Sequence, residues 1–276
     1  MKSLKIAFLS VGHGDSSVII FSDGKSAAVI DTPKAQITFD YLVEHKIDSL
    51  KWVMISHTHA DHSNGIIDLI KHFHKQRGTI ETIYYNRDTI SENQKTRYKT
   101  RYIVLLREIL SLINRNIVQN PGRPALMSST FDTNENIAIK ILHPDHDDIT
   151  KAIACSHRKN DASVVVQLLF GKFSILFTGD LSAHGWKCLK ARNLNLSSDI
   201  LKYPHHGTWF KSVPDMIDDI NPQYVILSYG KPSEKIYKLP ASETINYLKT
   251  KKIKIFSTKS SHQEFVITLK SIKQLK

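Results

Sequence analysis

Cysteine and long apolar runs are scarce in this chain of 276 residues. The two cysteines, Cys155 and Cys188, form no Cys-x-x-Cys pair and are too few for a disulfide framework. No apolar run approaches the roughly 20 residues of a membrane-spanning helix, so we predict no membrane span. The short apolar segment at 5–11 alternates and leads into glycine-rich sequence without a small-residue cleavage site, which predicts a first strand and no signal peptide. Together these features predict a cytoplasmic protein.

Acidic residues are also few relative to basic ones. The chain has 26 acidic and 38 basic residues, for a formal net charge of +12. Such an excess attracts polyanions, which include nucleic acid, an acidic lipid surface and phosphate-rich substrates. The alternative is a lysine-rich solvated surface without a specific partner, because the lysines are spread along the chain.

Apolar segments of strand length recur in both halves of the chain and alternate with turn signals and helical patterns. Helices are predicted at 38–45, 65–75, 186–192 and 242–251, the last with Ser242 as its N-cap. Two β-rich halves with helices after their strands predict two facing sheets with helices outside. No linker or short-period repeat divides the chain, so we predict one domain over 1–276. The predicted strands are 5–11, 17–21, 27–30, 51–56, 137–142, 163–170, 173–177, 200–203, 224–228, 254–257 and 264–269.

A basic insert is predicted at about 86–130. Its middle, 102–113, has a helical apolar face, and Tyr98 and Tyr102 lie among basic residues. One interpretation is a cap over the site, with aromatic rings that stack on bases and cations that contact phosphates, or a surface for a protein partner. The other is a peripheral helix with an ordinary solvated face. The basic residues are Arg87, Lys95, Arg97, Lys99, Arg101, Arg107, Arg115 and Arg123.

Metal-binding side chains are concentrated at 56–65, which reads SHTHADHSNG. His57, His59, Asp61 and His62 fall within six positions, between a predicted strand and a predicted helix. A loop leaving a strand can direct His57 and His59 to one metal and Asp61 and His62 to a neighbouring one. Imidazole and carboxylate suit zinc, and also manganese or iron. A chance cluster of histidines is the alternative, and the spacing disfavours it.

Two later turns offer further ligands for a two-metal site. Asp180 follows the predicted strand 173–177, where its carboxylate could bridge two metals about 3.5–4 Å apart. Asp161 lies at another loop mouth, before the strand 163–170. We favour Asp161 as a ligand to the first metal, with His157 as the alternative.

Other histidines and acids are interpreted by their place in the predicted elements. His205 and His206 follow a predicted strand, and two adjacent histidines cannot easily both face one metal. We favour His205 as the ligand, with His206 in a hydrogen-bonding or phosphate-contacting role. Asp31 ends a strand and is expected to accept a hydrogen bond from a ligand histidine, which fixes the tautomer. The turn 12–16 could border the site, but a structural turn is the favoured role of His13 and Asp15. Surface or helix-face positions without a ligand role are predicted for His45, His72, His74, His143, His146, His184 and His262.

Several segments together resemble the metallo-β-lactamase superfamily, and within it the hydrolase domain of ComEC-like competence proteins and their free-standing relatives. The resemblance implies an α/β four-layer αββα sandwich with a dinuclear centre at the sheet edges. It also implies that the ligands are His57, His59, Asp61, His62, Asp180 and one histidine of 205–206, and its Asn/Asp-rich motif supports Asp161. The matching segments are VGHGDS at 11–16, IDTP at 30–33, SHTHADHSNG at 56–65, NDASVVVQL at 160–168, FTGD at 177–180 and KYPHHGT at 202–208.

One departure concerns substrate. The family commonly has a Tyr-Gly-His-Pro-like segment near the last helix, whereas 236–240 reads IYKLP here, without histidine. If that histidine contacts substrate or serves as an acid, the chain differs from its relatives in rate or substrate.

The leading functional hypothesis is a hydrolase with two divalent cations, zinc favoured and manganese the alternative. It would act as a phosphodiesterase or nuclease on DNA or RNA, by attack of a hydroxide that bridges the metals. Asp61, Asp180, His205 and His206 are the predicted catalytic residues, while Lys202 and Thr208 are further candidates near the substrate. One alternative is hydrolysis of a small ester, lactone, lactam or phosphorylcholine-type substrate. The other is a nucleic-acid-binding or scaffold protein with a non-catalytic metal centre.

Overall fold

Two β-sheets pack face to face in the computed structural model, which describes residues 2–85, 97–120, 122–127, 130–134, 136–154, 159–231 and 233–275. The first sheet has the strand order β15-β14-β1-β2-β3-β4-β5-β6, and the second β13-β12-β11-β10-β9-β8-β7. The strands of the first sheet are β1 Ser3–Phe8, β2 Ser17–Ile20, β3 Ser26–Ile30, β4 Ser49–Ile55, β5 Thr79–Tyr85, β6 Arg123–Pro124, β14 Gln263–Thr268 and β15 Ile272–Leu275. Those of the second are β7 Thr130–Asn134, β8 Ile137–His143, β9 Val165–Phe170, β10 Phe173–Phe177, β11 Ile200–Lys202, β12 Tyr224–Leu227 and β13 Lys254–Ser257.

Helices cover the outer face of each sheet. They are α1 Ala35–Glu44, α2 Ala60–Ser63, α3 Ile66–Lys75, α4 Arg97–Asn114, α5 His146–Ala154, α6 Ala183–Lys190, α7 Val213–Ile220 and α8 Ser242–Thr250. The helix α3 shows why: Ile66, Leu69, Ile70 and Phe73 recur at helical spacing and form its buried face. None of the helices in the described ranges is both long and apolar enough to cross a membrane.

Three apolar clusters correspond to the contacts between four layers. The strand β1 separates two of them by its alternation, because Leu4, Ile6 and Phe8 enter the cluster between the sheets while Ala7 faces the outer helices. A third cluster packs the second sheet against helices that include α7. The predicted αββα sandwich with helices outside is confirmed.

Parallel pairing brings the ends of several strands to one edge. In the first sheet β3 pairs in parallel with β4, and in the second β10 pairs in parallel with β11. The two sheets meet at this edge, where Val164 N donates to Ser56 O at 3.0 Å. The loops that follow these four strands therefore open at the same place.

Some sequence-based expectations differ from the structure. Ala241 is the N-cap of α8, so the prediction of Ser242 as the cap is wrong by one residue. The elements that were not predicted are the strands β5, β6, β7 and β15 and the helices α2, α5 and α7. The helix α7 is only eight residues long, yet Val213, Met216, Ile217 and Ile220 form a buried face with helical spacing.

The middle of the basic insert is the helix α4. Its residues Leu105, Ile109 and Leu112 are buried in the same cluster as α1 and α3, and Lys71 of α3 pairs with Glu108 at 2.9 Å. This packing favours the interpretation as a peripheral helix. The expected basic residues Arg87 and Lys95 lie outside the described residues, as do the side chains of 97–102.

Candidate metal centre

The metal motif lies in the loop and short helix after β4. His57 follows the strand closely, and α2 begins with Ala60, so Asp61 and His62 lie in its single turn. A second turn, 204–207, contains His205 and His206 and follows β11. Asp180 follows β10 after Gly179, whose φ of +50° makes the tight turn.

Asp180 lies at the centre of the histidines. His62 Nε2 is 3.2 Å from Asp180 Oδ1, while His206 Nε2 and His57 Nε2 are 3.5 and 3.8 Å from Oδ2. Asp61 Oδ2 lies 3.3 Å from the same nitrogen of His206. Two groups that could hold a metal ion share Asp180. Their members are Asp61, His62, Asp180 and His206 in one, and His57, His59 and Asp180 in the other.

The rings of His62 and His206 are fixed through their Nδ1 atoms. His62 Nδ1 is 2.8 Å from Asp31 Oδ2, and His206 Nδ1 is 2.9 Å from the carbonyl oxygen of Ser228. Because both partners are acceptors, each Nδ1 carries a hydrogen and donates. Each Nε2 therefore faces the cluster, and in the neutral ring it offers a lone pair.

Buried polar atoms in this cluster lack hydrogen bonds. Within the described residues, His62 Nε2, His206 Nε2, Asp180 Oδ1 and Asp15 Oδ1 have no hydrogen-bond partner. Leaving such atoms unsatisfied costs about 1–3 kcal/mol each. Imidazole nitrogens and carboxylate oxygens are ligands of zinc and other divalent metals, so the donor set fits a bound cation.

The charges of the cluster also favour a bound cation. Burial opposes charge on His206, but Asp180 and other carboxylates outweigh burial and raise the pKa of His206 to about 10. His62 shows the same balance: burial acts against the charge, and Asp180, Asp31 and Asp15 raise its pKa well above the ordinary value. Without a metal, protons on the two imidazoles compensate the carboxylates, a role that a divalent cation can take over.

His57 and His59 form a neighbouring pair. His57 is fully buried and its Nε2 lies 3.1 Å from His59 Nδ1, while Ser56 Oγ lies 3.2 Å from His57 Nδ1. Burial, followed by repulsion from His62, lowers the pKa of His57 well below its ordinary value. His57 is therefore neutral near pH 7 and can accept a metal.

The structure brings His206, and not His205, into the cluster. Both residues have left-handed backbones, with φ of 49° and 54°. His205 Nε2 lies 3.4 Å from Asn160 Nδ2, and Thr208 Oγ1 donates to the carbonyl oxygen of His205 at 2.8 Å. Burial lowers the pKa of His205.

Two other expected residues are not members of the groups that share Asp180. Asp161 Oδ1 accepts a hydrogen bond from Ser182 Oγ at the start of α6, and Asp161 belongs to neither group. Lys202 is buried; its Nζ pairs with Asp15 and donates to Gly179 O at 3.3 Å. The alternative ligand His157 lies outside the described residues.

A structural turn was the favoured role of His13 and Asp15, with a position at the border of the site as the alternative, and both side chains lie against the cluster. His13 Nε2 is 3.0 Å from Asp61 Oδ2, and Asp15 Oδ1 is 3.6 Å from His206 Nδ1. Gly14 between them has φ +121° and touches the carbonyl oxygen of Asp61, so a Cβ has no room there. The Gly-His-Gly-Asp pattern is the signal for this close approach.

A buried histidine lies nearby at the end of β8. The prediction of a surface position is wrong for His143, which is fully buried. Its Nε2 is 2.6 Å from the carbonyl oxygen of Asp161, and its Nδ1 is 3.1 Å from Asp148 Oδ2 and 2.9 Å from Arg192 Nη1. Apolar strand periodicity does not reveal such a network, because its partners come from distant parts of the chain.

Residues 10–230 match the Metallo-beta-lactamase superfamily. ComE operon protein 3 of Bacillus subtilis (strain 168) is 31% identical over 98 residues, which are 33% of this chain and 13% of that protein. The chain thus matches only about an eighth of that relative's length.

Solved structures share the fold. The short form of human tRNase Z has a TM-score of 0.55 at 13% identity, with 96% of this chain and 99% of that chain covered. A diphosphatase of the PhnP family has a TM-score of 0.53 at 15% identity, with 97% and 99% covered. At these identities the likeness concerns the fold alone.

Proposed function

The chain belongs to the metallo-β-lactamase superfamily of hydrolases, and from that premise we propose that it is a metal-dependent phosphodiesterase that cleaves nucleic acid. The observation that carries the proposal is the cluster around Asp180, in which two imidazole Nε2 atoms and a carboxylate oxygen are buried without hydrogen bonds in the described structure. Such a donor set suits a bound cation, because imidazole nitrogens and carboxylate oxygens converge on one buried place and are the ligands that divalent metals take.

We assign the ligands from the two groups of side chains. Asp61, His62 and His206 would hold one cation, His57 and His59 the other, with Asp180 between them. His206 takes the place expected for His205, because its Nε2 faces Asp61 and Asp180. The mixture of nitrogen and oxygen donors suits zinc, with manganese as the alternative.

Two cations bound there would lower the pKa of a water molecule and offset the charge that develops on phosphoryl oxygens. The chain supplies orientation for this reaction. Asp31 and the carbonyl oxygen of Ser228 hold the hydrogens of His62 and His206 on Nδ1. Lys202 neutralises Asp15 at the edge of the cluster, which leaves the remaining carboxylates for the cations.

Charge and relatives support a nucleic acid over a neutral substrate. The formal net charge of +12 attracts a polyanion. One protein of the same fold is tRNase Z, whose name shows that the sandwich can accommodate an RNA.

The test is hydrolysis of labelled single- and double-stranded DNA and RNA with Zn²⁺ or Mn²⁺ added. We expect metal-dependent cleavage that Asp180→Asn abolishes, while His74→Ala, which changes an exposed histidine of α3, retains it. A bis-p-nitrophenyl phosphate arm and a lactone arm accompany the nucleic acids. Metal-bound protein that cuts neither DNA nor RNA would refute the nuclease, and turnover in one of the other arms would identify a small-substrate hydrolase instead.

A further inference from the structure

Gly230 and the turn Ser233–Tyr237 lie against the loop that carries His13. A Cβ on Gly230 would lie 2.7 Å from the Cα of Gly12, so the two backbones touch where only glycine fits. Ser233 N then donates to Gly230 O at 2.9 Å, and the π-helical turn Ser233–Tyr237 follows. This turn therefore has a defined position relative to the metal cluster.

His13 connects the turn to the cluster. Its Nδ1 is 2.7 Å from Ser233 Oγ, and its Nε2 is 3.0 Å from Asp61 Oδ2. The ring of Tyr237 stacks on the His13 ring at a centroid distance of 5.1 Å and an angle of 27°. The His13 ring also lies 4.7 Å from the ring of His206. Tyr237 is thus separated from the proposed ligands by a single imidazole.

Tyr237 remains 58% exposed although it is a large aromatic side chain. His13 covers part of its ring, and the rest is open to solvent beside the site. An exposed aromatic ring offers a face on which any nucleobase can stack. The same segment carries the exposed lysines Lys231, Lys235 and Lys238, whose charge suits a phosphate backbone.

We propose that Tyr237 is a stacking platform for an unpaired base of a single-stranded nucleic acid whose phosphodiester lies at the metal cluster. This inference rests on the proposed function and narrows its substrate. A base inside a duplex is already stacked on its neighbours, so only an unpaired base can lie on Tyr237. Neither stacking nor charge on the backbone involves contacts to base edges, so we expect little sequence preference in binding.

Binding by the whole chain without metal tests the platform, because chelated protein does not cut the probe. The probe is a fluorescein-labelled single-stranded oligonucleotide, in a DNA and an RNA version, measured by anisotropy at low salt. Tyr237→Ala is expected to weaken binding roughly five- to 150-fold, the equivalent of about 1–3 kcal/mol for one stacked base. Tyr237→Phe keeps the ring and is expected to bind like the wild type. Ile236→Ala is the matched control, because it truncates the 69% exposed neighbour on the same turn.

A single abasic position moved along the oligonucleotide identifies the stacked base. At one position, the abasic probe should bind the wild type as weakly as the intact probe binds Tyr237→Ala. The abasic position and Tyr237→Ala together should weaken binding no more than either change alone. Equal binding of every probe by wild type and Tyr237→Ala would overturn the platform, as would tighter binding of a matched duplex than of the single strand. If wild type and Tyr237→Ala bind equally and the wild type still cleaves nucleic acid, the proposed function holds and only the platform is refuted. If Tyr237 contributes to binding but no nucleic acid is cleaved, the proposed function is refuted and the platform is not.

Discussion

Asp31→Asn tests how the chain prepares His62 for a metal. Asp31 Oδ1 accepts from Ser56 N at 2.7 Å, and Oδ2 accepts from Ser56 Oγ at 2.6 Å and from His62 Nδ1 at 2.8 Å. The backbone N–H of Ser56 cannot change direction, so the side-chain oxygen of the substituted asparagine must face it. The new NH₂ group then faces His62 Nδ1 and favours the tautomer in which Nδ1 accepts.

That tautomer places the hydrogen of His62 on Nε2, the atom that faces Asp180. Metal affinity should therefore fall by about 10–100-fold, the usual effect of losing a partner that orients a ligand histidine, or about 1.4–2.7 kcal/mol. Asparagine is the appropriate replacement because Asp31 has φ 58°, a left-handed backbone that asparagine adopts readily.

The assay is a chelator competition for Zn²⁺ on wild type and variant, with circular dichroism to establish that both are folded. Asp23→Asn is a matched control: its carboxylate also accepts from a backbone N–H and a serine hydroxyl, those of Ser26, but on an exposed turn away from the cluster. Unchanged zinc affinity in folded Asp31→Asn would refute the tautomer argument. A fall of equal size in Asp23→Asn would show a general effect of lost charge.

Three further outcomes follow from the site and its surroundings. The pKa values of His62 and His206 are raised, to about 10 for His206, so both imidazoles bind protons near pH 7 without metal. Zinc binding should therefore release protons, and zinc affinity should increase as pH rises. Calorimetry in buffers of different ionisation enthalpy measures the protons released. Gly14→Ala should lower the melting temperature much more than Gly24→Ala. Both glycines have positive φ, which costs an alanine roughly 1–2 kcal/mol, but only at Gly14 would the new Cβ meet a neighbouring backbone. Equal losses in melting temperature would contradict this reasoning. Burial opposes ionisation of Asp148, but its hydrogen bond to His143 and its other partners lower its pKa. The contribution of Asp148 to stability is therefore present above about pH 4 and is lost as pH falls below that. In Asp148→Asn, the urea midpoint should decrease less between pH 7 and pH 3 than it does in the wild type.

The fold was predictable because its signals are local. Strand-length apolar segments and helical faces such as that of α3 depend on residues a few positions apart. The position of His57, His59, Asp61 and His62 after a buried strand was equally readable, since strand ends in parallel pairs meet at one edge. These parts of the chain specify their structure without reference to distant residues.

The choice between His205 and His206 depends on a different kind of information. Both histidines sit after β11 and both have left-handed backbones, so neither sequence position nor the apolar pattern distinguishes them. The distinction comes from Ser228, which lies after a neighbouring strand and whose carbonyl oxygen receives the Nδ1–H of His206. A single sequence shows no trace of that backbone acceptor, because every residue has one.

Lys202 shows how the same limit affects assignments of charge. The sequence alone suggests a phosphate contact for this lysine, but Lys202 is buried and its Nζ pairs with Asp15. Asp15 Oδ1 in turn lies 3.6 Å from His206 Nδ1, and Asp15 Oδ2 lies 3.7 Å from His62 Nδ1. Asp15 contributes to the raised pKa of both imidazoles, and its pairing with Lys202 offsets part of its negative charge beside them. Lys202 is therefore placed to act on the cluster through the carboxylate with which it pairs. In the proposed complex, the phosphate backbone would meet the exposed lysines of the turn that carries Tyr237.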